Sequence, residues 1–188
     1  MKIRTVTCGF NVKLPFTEAQ FKKIAEFSTK AKTTFESKGY VVQTIRTSTQ
    51  PWEEYCQSKE QLIELVKQFE VLTHKYKLSY FNLGAVKKNI HLTYEIIKNS
   101  TVGFSTVLIC DDKTINHQAA RETAKLIKRL STLEPEGFAN LRFSALFNTP
   151  PGSPFYPAAY HQGPTSFAVG TENSDLVNLA FSNAKDIK

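Results

Sequence analysis

The sequence lacks the short motifs that mark several common enzyme classes. It has no phosphate-binding loop of the form GxxxxGK[ST], no GxSxG nucleophile elbow and no HExxH zinc motif, and no GxGxxG follows a predicted strand. The sequence therefore argues against phosphate-loop, nucleophile-elbow and zincin chemistry. No residue pattern identifies a cofactor, which stays unknown at this stage.

Cysteine and long apolar runs are also scarce. The three cysteines, Cys8, Cys56 and Cys110, are far apart and form no CxxC pair, which is typical of reduced thiols in a cytosolic protein. No apolar run approaches the roughly 20 residues of a membrane span. Lys2 and Arg4 lead directly into an alternating strand rather than a signal peptide, so we expect a cytoplasmic protein with no membrane partner.

Positive charge is in excess, but it is spread along the chain. The formal net charge is +7, yet the lysines are distributed over predicted helices and loops rather than gathered in one tail. Nucleic-acid binders usually concentrate their charge on one face, so this distribution favours solvated helix surfaces. Nucleic acid is accordingly the weakest of the partner hypotheses.

Segments with strand and helix patterns alternate along the whole chain. Val6, Cys8 and Phe10 alternate onto one face of a first strand, and helical spacing follows in the next segment. Such alternation predicts one α/β domain over residues 1–188, with helices packed on a largely parallel sheet. Further helix starts are predicted from two capping boxes, Thr17 with Gln20 and Ser58 with Gln61, and from Ser174 as the cap of a final helix.

The segment NTPPGSPFYPAAYHQGPTSFAVG, residues 148–170, differs from the rest of the chain. It holds five of the eight prolines together with aromatic residues and one histidine, and it follows a predicted strand. Proline fixes its own φ and restrains the preceding residue, so this segment is expected to be rigid. It could present a pre-organised ligand site, or it could be a lid that seals the end of the sheet.

Three segments are expected to meet at the carboxyl ends of the strands, where ligands bind in open α/β sheets. They are the 148–170 segment, Asn11 after the first strand, and Asp111–Asp112 after the fourth. His161 is a candidate general base, metal ligand or hydrogen-bonded structural residue, and Tyr160 is a candidate hydrogen-bond donor. The spacing of Asp111, Asp112 and His117 is a weak indication of a metal site, although acidic residues directly after a strand more often cap the next helix.

Two stretches, KIRTVTCGFNV and NLRFSALFNTPPGSPFYPAAYHQGPTSFAVGTENSDLV, resemble the domain of unknown function 711 family (DUF711). The resemblance implies an α/β fold related to the barrel of glycyl-radical enzymes, of which this chain resembles half of a ten-stranded PFL-like barrel. It implies no established activity. Radical chemistry does not follow, because no glycine motif of that kind is present. The resemblance also implies that a central cavity is faced by the matching residues Asn148, Pro150, Pro151, Gly152, Pro157, Tyr160, His161 and Gly170.

Chains of this family typically continue further, so this one is expected to be a fragment, such as the N-terminal part of a larger barrel, or to be completed by a partner. A half-barrel exposes edge strands, which natural proteins usually cover. We therefore expect a homo-oligomer or a partner chain that completes the sheet.

The leading functional hypothesis is an enzyme or enzyme subunit of unknown reaction that binds a small molecule. His161 and Tyr160 are the catalytic candidates, and the predicted ligand-binding residues are Asn11, Asn148, Pro151, Gly152 and Gly170. The alternative is a non-catalytic ligand-binding or assembly module.

Overall fold

A computed structural model describes residues 2–111 and 114–184. Strands and helices alternate through most of these residues, as the sequence predicts. The strands are β1 (Lys2–Phe10), β2 (Val42–Thr49), β3 (Tyr80–Val86), β4 (Gly103–Asp111), β5 (Thr114–Ile115), β6 (Phe143–Phe147) and β7 (Ser166–Glu172). The helices are α1 (Glu18–Ser37), α2 (Lys59–Lys75), α3 (Thr93–Lys98), α4 (His117–Leu130) and α5 (Ser174–Asn183).

All seven strands belong to one mostly parallel sheet. Its central order is β4-β3-β2-β1-β7, and the other edge of β4 pairs with β6 and with the short β5. Strands β1 to β4 and β6 run parallel, whereas β7 is antiparallel to β1 and β5 is antiparallel to β4. The sheet is open rather than closed into a barrel. This confirms the predicted α/β fold and is consistent with half of a barrel.

Apolar side chains on one face of the sheet pack against helices. Val6, Cys8 and Phe10 of β1 are buried on this face, as their alternation predicts. The ring of Phe69 on α2 is fully buried and lies 5.5 Å from the ring centre of Phe21 on α1. It also stacks at 4.7 Å on Phe16, which precedes α1. This aromatic cluster joins the first two helices to the sheet.

The predicted helix caps are only partly correct. Ser58 caps α2, since its hydroxyl accepts a hydrogen bond from the Gln61 N–H. Thr17 precedes α1 but its side chain makes no capping bond: the Gln20 N–H donates to the Thr17 carbonyl instead, and the Gln20 side chain bonds the backbone of Lys13. The prediction that Ser174 caps the last helix is wrong: α5 begins at Ser174, and the preceding Asn173 makes no side-chain capping bond either.

A long irregular segment, residues 148–165, lies on the other face of the sheet. We call it the covering segment. It connects β6 at one edge to β7 at the other edge, so it crosses the strands between them. Thr7 of β1 donates to the Pro154 carbonyl at 2.7 Å, and Asn82 of β3 donates to the Pro157 carbonyl at 2.8 Å. Polar side chains of the sheet therefore hold this segment in place.

Within residues 2–111 and 114–184, no helix combines the length and the apolar character needed to cross a membrane.

Candidate functional site

A cavity of about 650 Å³ lies where the carboxyl ends of the parallel strands meet the covering segment. Its walls come from widely separated parts of the chain. The lining residues are Asn11, Gln50, Pro51, Glu54, Ala85, Lys87, Leu108, Cys110, Asn148, Thr149, Pro150, Pro151, Tyr160, His161, Gln162 and Gly163.

Four strand exits contribute to this cavity. Asn11 directly follows β1, Gln50 follows β2, Lys87 follows β3 and Asn148 follows β6. Parallel strands place their carboxyl ends at the same edge of a sheet, which is the edge where open α/β sheets bind ligands. The structure thus brings Asn11 and the covering segment together, as the sequence reasoning predicts.

An apolar cluster lies under the covering segment and supplies part of the cavity lining. Ala85 of β3 and Leu108 of β4 are buried with Leu146 and Tyr160 in this cluster, and the partly buried Ala158 packs against it. Ala85, Leu108 and Tyr160 also line the cavity. The cavity therefore offers an apolar surface in addition to its polar walls.

Hydrogen bonds fix the wall that the covering segment forms. The Gly163 carbonyl lies 2.9 Å from Asn11 Nδ2, which donates to it, and 2.9 Å from His161 Nε2. The Tyr160 hydroxyl donates to the Thr149 carbonyl at 2.8 Å. These bonds order the segment before any ligand binds, so binding would cost little additional conformational entropy.

His161 is the most enclosed polar residue of the cavity wall, with 2% of its surface exposed. The backbone N–H of His161 donates to the Thr49 carbonyl at 3.0 Å, and the imidazole ring packs directly on Gly9 of β1. A Cβ atom at position 9 would lie 2.8 Å from His161 Cγ, so only glycine permits this approach. Burial lowers the pKa of the imidazole, although the bond to the Gly163 carbonyl opposes that shift.

This environment favours the neutral form of the His161 imidazole. A neutral imidazole that bonds a carbonyl through Nε2 must carry its proton there, which leaves the lone pair on Nδ1. The surroundings are those of a hydrogen-bonded structural residue, one of the three roles left open by the sequence. The lone pair on Nδ1 lies against Gly9, so an acid/base role would require the ring to turn out of this packing.

Gln50 is a cavity residue that the sequence reasoning missed. Its amide oxygen accepts from the Val12 N–H and its amide nitrogen donates to the Val12 carbonyl, both at 2.9 Å. This paired contact fixes the backbone that follows β1. Its position immediately after a predicted strand was the available signal, and the same rule used for Asn11 would have found it.

Lys87, which follows β3 and lines the cavity, is a second residue that the sequence does not single out. A carboxylate fixes the backbone at this point. Glu53 accepts hydrogen bonds from the backbone N–H groups of Lys87 and Lys88, at 2.9 and 3.0 Å.

Among the cavity residues that the structure describes, Lys87 and Glu54 carry the formal charges. Four other lining residues contribute amides: Asn11, Gln50, Asn148 and Gln162. The lining is thus polar and nearly balanced in charge.

Two predicted ligand-binding residues lie outside this cavity. Gly152 lines a smaller hollow of about 30 Å³ beside Thr7 and His161. Gly170 lies in β7 opposite Thr5, where its Cα faces the ring of Phe155. Their roles in ligand binding stay predictions.

The predicted acidic metal site falls largely outside the described residues. Asp112 is not described, and of Asp111 only the backbone at the end of β4 is described. His117 begins α4, whose cap is Asn116: its side-chain oxygen accepts from the Ala119 N–H at 2.9 Å. Residues 2–111 and 114–184 contain no cluster of three or more metal-ligating side chains of histidine, cysteine, aspartate or glutamate.

The three cysteines are free and buried. Burial raises the pKa of the Cys8 thiol, and it raises the pKa of Cys56 to about 11. Both thiols therefore stay protonated near neutral pH, as expected of structural cysteines. Cys110 lines the cavity, where its Sγ donates to Asn148 Oδ1 at 3.3 Å.

The open parallel sheet and the cavity at its carboxyl edge define an α/β protein with a candidate small-molecule site. The chain belongs to the family described as Uncharacterised ACR (DUF711), which matches residues 1–188. This confirms the resemblance seen in the sequence, and the family description names no activity. A comparison with curated proteins finds no matching relative.

Proposed function

We propose that the cavity binds a small polar molecule and that the protein acts on it as an enzyme or enzyme subunit. One observation carries the proposal: the exits of β1, β2 and β3, together with the covering segment that continues from β6, surround one cavity of about 650 Å³. This volume lies within the range of roughly 300–1,000 Å³ typical of small-molecule sites. The reaction stays open.

The lining suggests what the ligand contains. Amides such as Asn148 and Gln162 can both donate and accept hydrogen bonds, so they suit uncharged polar groups. Ala85 and Leu108 would contact an apolar part of the same molecule. We assign Asn11, Asn148 and Pro151 to the ligand-contacting walls, because each lines the cavity.

Tyr160 and His161 remain the catalytic candidates of this proposal. Both residues line the cavity. A neutral imidazole can accept a proton as a general base must, but His161 could do so only after its Nδ1 turns away from Gly9. The hydroxyl of Tyr160 already donates to Thr149, so in catalysis it would have to exchange that bond for one to the ligand.

A thermal-shift screen over small polar metabolites and divalent metal ions tests the proposal. Gln162 is exposed and lines the cavity, so Gln162→Trp should obstruct the cavity without disturbing the core. Gln118→Trp, at an exposed position on α4, is the matched control.

We expect at least one compound to raise the melting temperature of the wild type and of Gln118→Trp but not of Gln162→Trp. Equal shifts in all three proteins, or no shift with any compound, would contradict the cavity assignment. Incubation of the binding compound with the protein, followed by mass analysis, then separates an enzyme from a non-catalytic binding module.

We also propose that a second copy or a partner chain completes the sheet. Within the described residues, β6 pairs only with β4 and β7 only with β1, so both edges of the sheet stay open. Helix α5 adds four exposed apolar side chains: Leu176, Val177, Leu179 and Phe181. Sedimentation velocity should detect association, and a strictly monomeric mass at high concentration would count against self-association.

A further inference from the structure

Arg46 carries a half-buried positive charge that lies away from the cavity. It lies in the middle of β2, beside Thr7 of β1 and Tyr80 of β3 in the sheet register. Its Cζ atom is 4.9 Å from the ring centre of Tyr156 and 5.4 Å from that of Tyr80. Two aromatic rings thus hold the guanidinium in one place.

No carboxylate neutralises this charge within the described residues. The Nε–H donates to Thr44 Oγ1 at 3.0 Å, and the structure shows no other hydrogen bond and no ion pair for this side chain in residues 2–111 and 114–184. The neighbouring Arg4 is itself a cation, and its own partner is Glu172 at 3.2 Å. Burial lowers the pKa of Arg46, Tyr156 and Tyr80 oppose that shift, and Arg4 makes the smallest contribution, which lowers it.

A partly desolvated cation is costly unless an anion accompanies it, and buried charges in proteins are normally paired. The terminal nitrogens of a guanidinium form a planar fork that matches the oxygens of a carboxylate or a phosphate. Because the two rings already restrict Arg46, an arriving anion would immobilise little further. Arg46 therefore has the properties of a preformed receptor for an oxyanion.

We propose that Arg46 is an oxyanion-binding site that takes the carboxylate or phosphate group of a small molecule. Thr44 and the two tyrosine rings position the guanidinium. The site shares no residue with the cavity, so it stands whether or not the cavity binds a ligand.

Titrations with inorganic phosphate and with acetate at constant ionic strength test this proposal. Amide and arginine Nε–Hε signals in nuclear magnetic resonance spectra report where each anion binds. We expect saturable shifts of Arg46 and of its neighbours Thr44 and Tyr80 with at least one of the two anions. The anion that binds more tightly identifies the ligand class.

The matched variants are Arg46→Gln and Arg121→Gln, which lose the same charge. Arg121 is exposed on α4. We expect Arg46→Gln to weaken anion binding at least about tenfold, as the loss of a charge-assisted hydrogen bond predicts, and Arg121→Gln to leave it unchanged.

Equal affinities in the two variants, or no saturable shift in the wild type, would overturn the proposal and leave Arg46 with a packing role only. If Arg46→Gln does not fold, the wild-type shifts decide, since shifts centred away from Thr44, Arg46 and Tyr80 also overturn it.

Discussion

The two faces of the sheet make different kinds of contact, although the same strands form both. On one face, Phe10 and Val6 pack against helices together with buried aromatic rings such as Phe69. On the other face, Thr7 and Asn82 hydrogen-bond to the covering segment, which contains no helix or strand. The first face gains its stability from apolar burial, and the second gains its geometry from specific polar contacts.

This difference explains why the candidate site lies where it does. Apolar burial is non-directional and tolerates adjustment, whereas hydrogen bonds fix groups at defined distances and angles. Backbone carbonyls of the covering segment are held at several points, and the cavity wall is rigid as a result. The helical face contains the larger apolar core, and the second face combines a small apolar cluster with these hydrogen bonds.

The largest expected effect comes from the helical face. Phe69→Ala removes a fully buried ring that contacts Phe16 and Phe21, so it should lower the free energy of unfolding by about 3–5 kcal/mol. Val71→Ala, at a position on the same helix with 64% of its surface exposed, should change it by less than about 0.5 kcal/mol. Urea unfolding of both variants measures the difference. Similar small losses would show that the aromatic cluster does not dominate stability.

A smaller loss in the free energy of unfolding is expected from a substitution on the second face of the sheet. Gly9→Ala places a methyl group against the His161 ring, and such overpacking typically costs about 1–3 kcal/mol. Hydrogen exchange of the backbone amide of His161, which donates to the Thr49 carbonyl, should also become faster because the covering segment is displaced. Ser166→Ala, at the exposed residue opposite Gly9 in β7, is the control. Unchanged exchange in Gly9→Ala would mean that the glycine is not needed for this packing.

The smallest expected effect is a pH dependence of the free energy of unfolding that arises from His161. Burial lowers the pKa of His161 in the folded protein, so the unfolded chain takes up a proton at higher pH than the folded one. The contribution of His161 to stability is therefore complete above the ordinary histidine pKa of about 6.5 and is lost as pH falls towards its lower folded value.

Urea unfolding between about pH 7.5 and pH 5.5 measures this contribution. His161→Gln should reduce the loss of stability on acidification, whereas His91→Gln, at an exposed position, should not. Identical pH profiles for the wild type and His161→Gln would show that the imidazole titrates normally in the folded state.

The sequence predicts those parts of the fold that depend on local periodicity. Alternation identified the buried face of β1, and Ser58 was correctly identified as a cap because capping involves residues close in the chain. The antiparallel direction of β7 was not predicted, since a strand pattern carries no information about its partner. Thr17 does not cap α1 through its side chain, because the Gln20 N–H donates to the Thr17 carbonyl instead.

The candidate site could be predicted in outline but not in detail. The rule that strand exits converge located Asn11 and the covering segment, and it would also have located Gln50 and Lys87. The close packing of His161 on Gly9 could not be predicted, because it joins residues far apart in the chain.

The most direct test of the account is to map where a ligand binds. Chemical-shift mapping with the compound found in the thermal-shift screen should perturb residues of several strand exits together with the covering segment, in particular Asn11, Gln50, Lys87, Asn148 and Gln162. Perturbations confined to the helical face, or absent from the covering segment, would contradict the claim that this segment forms the wall of the binding site.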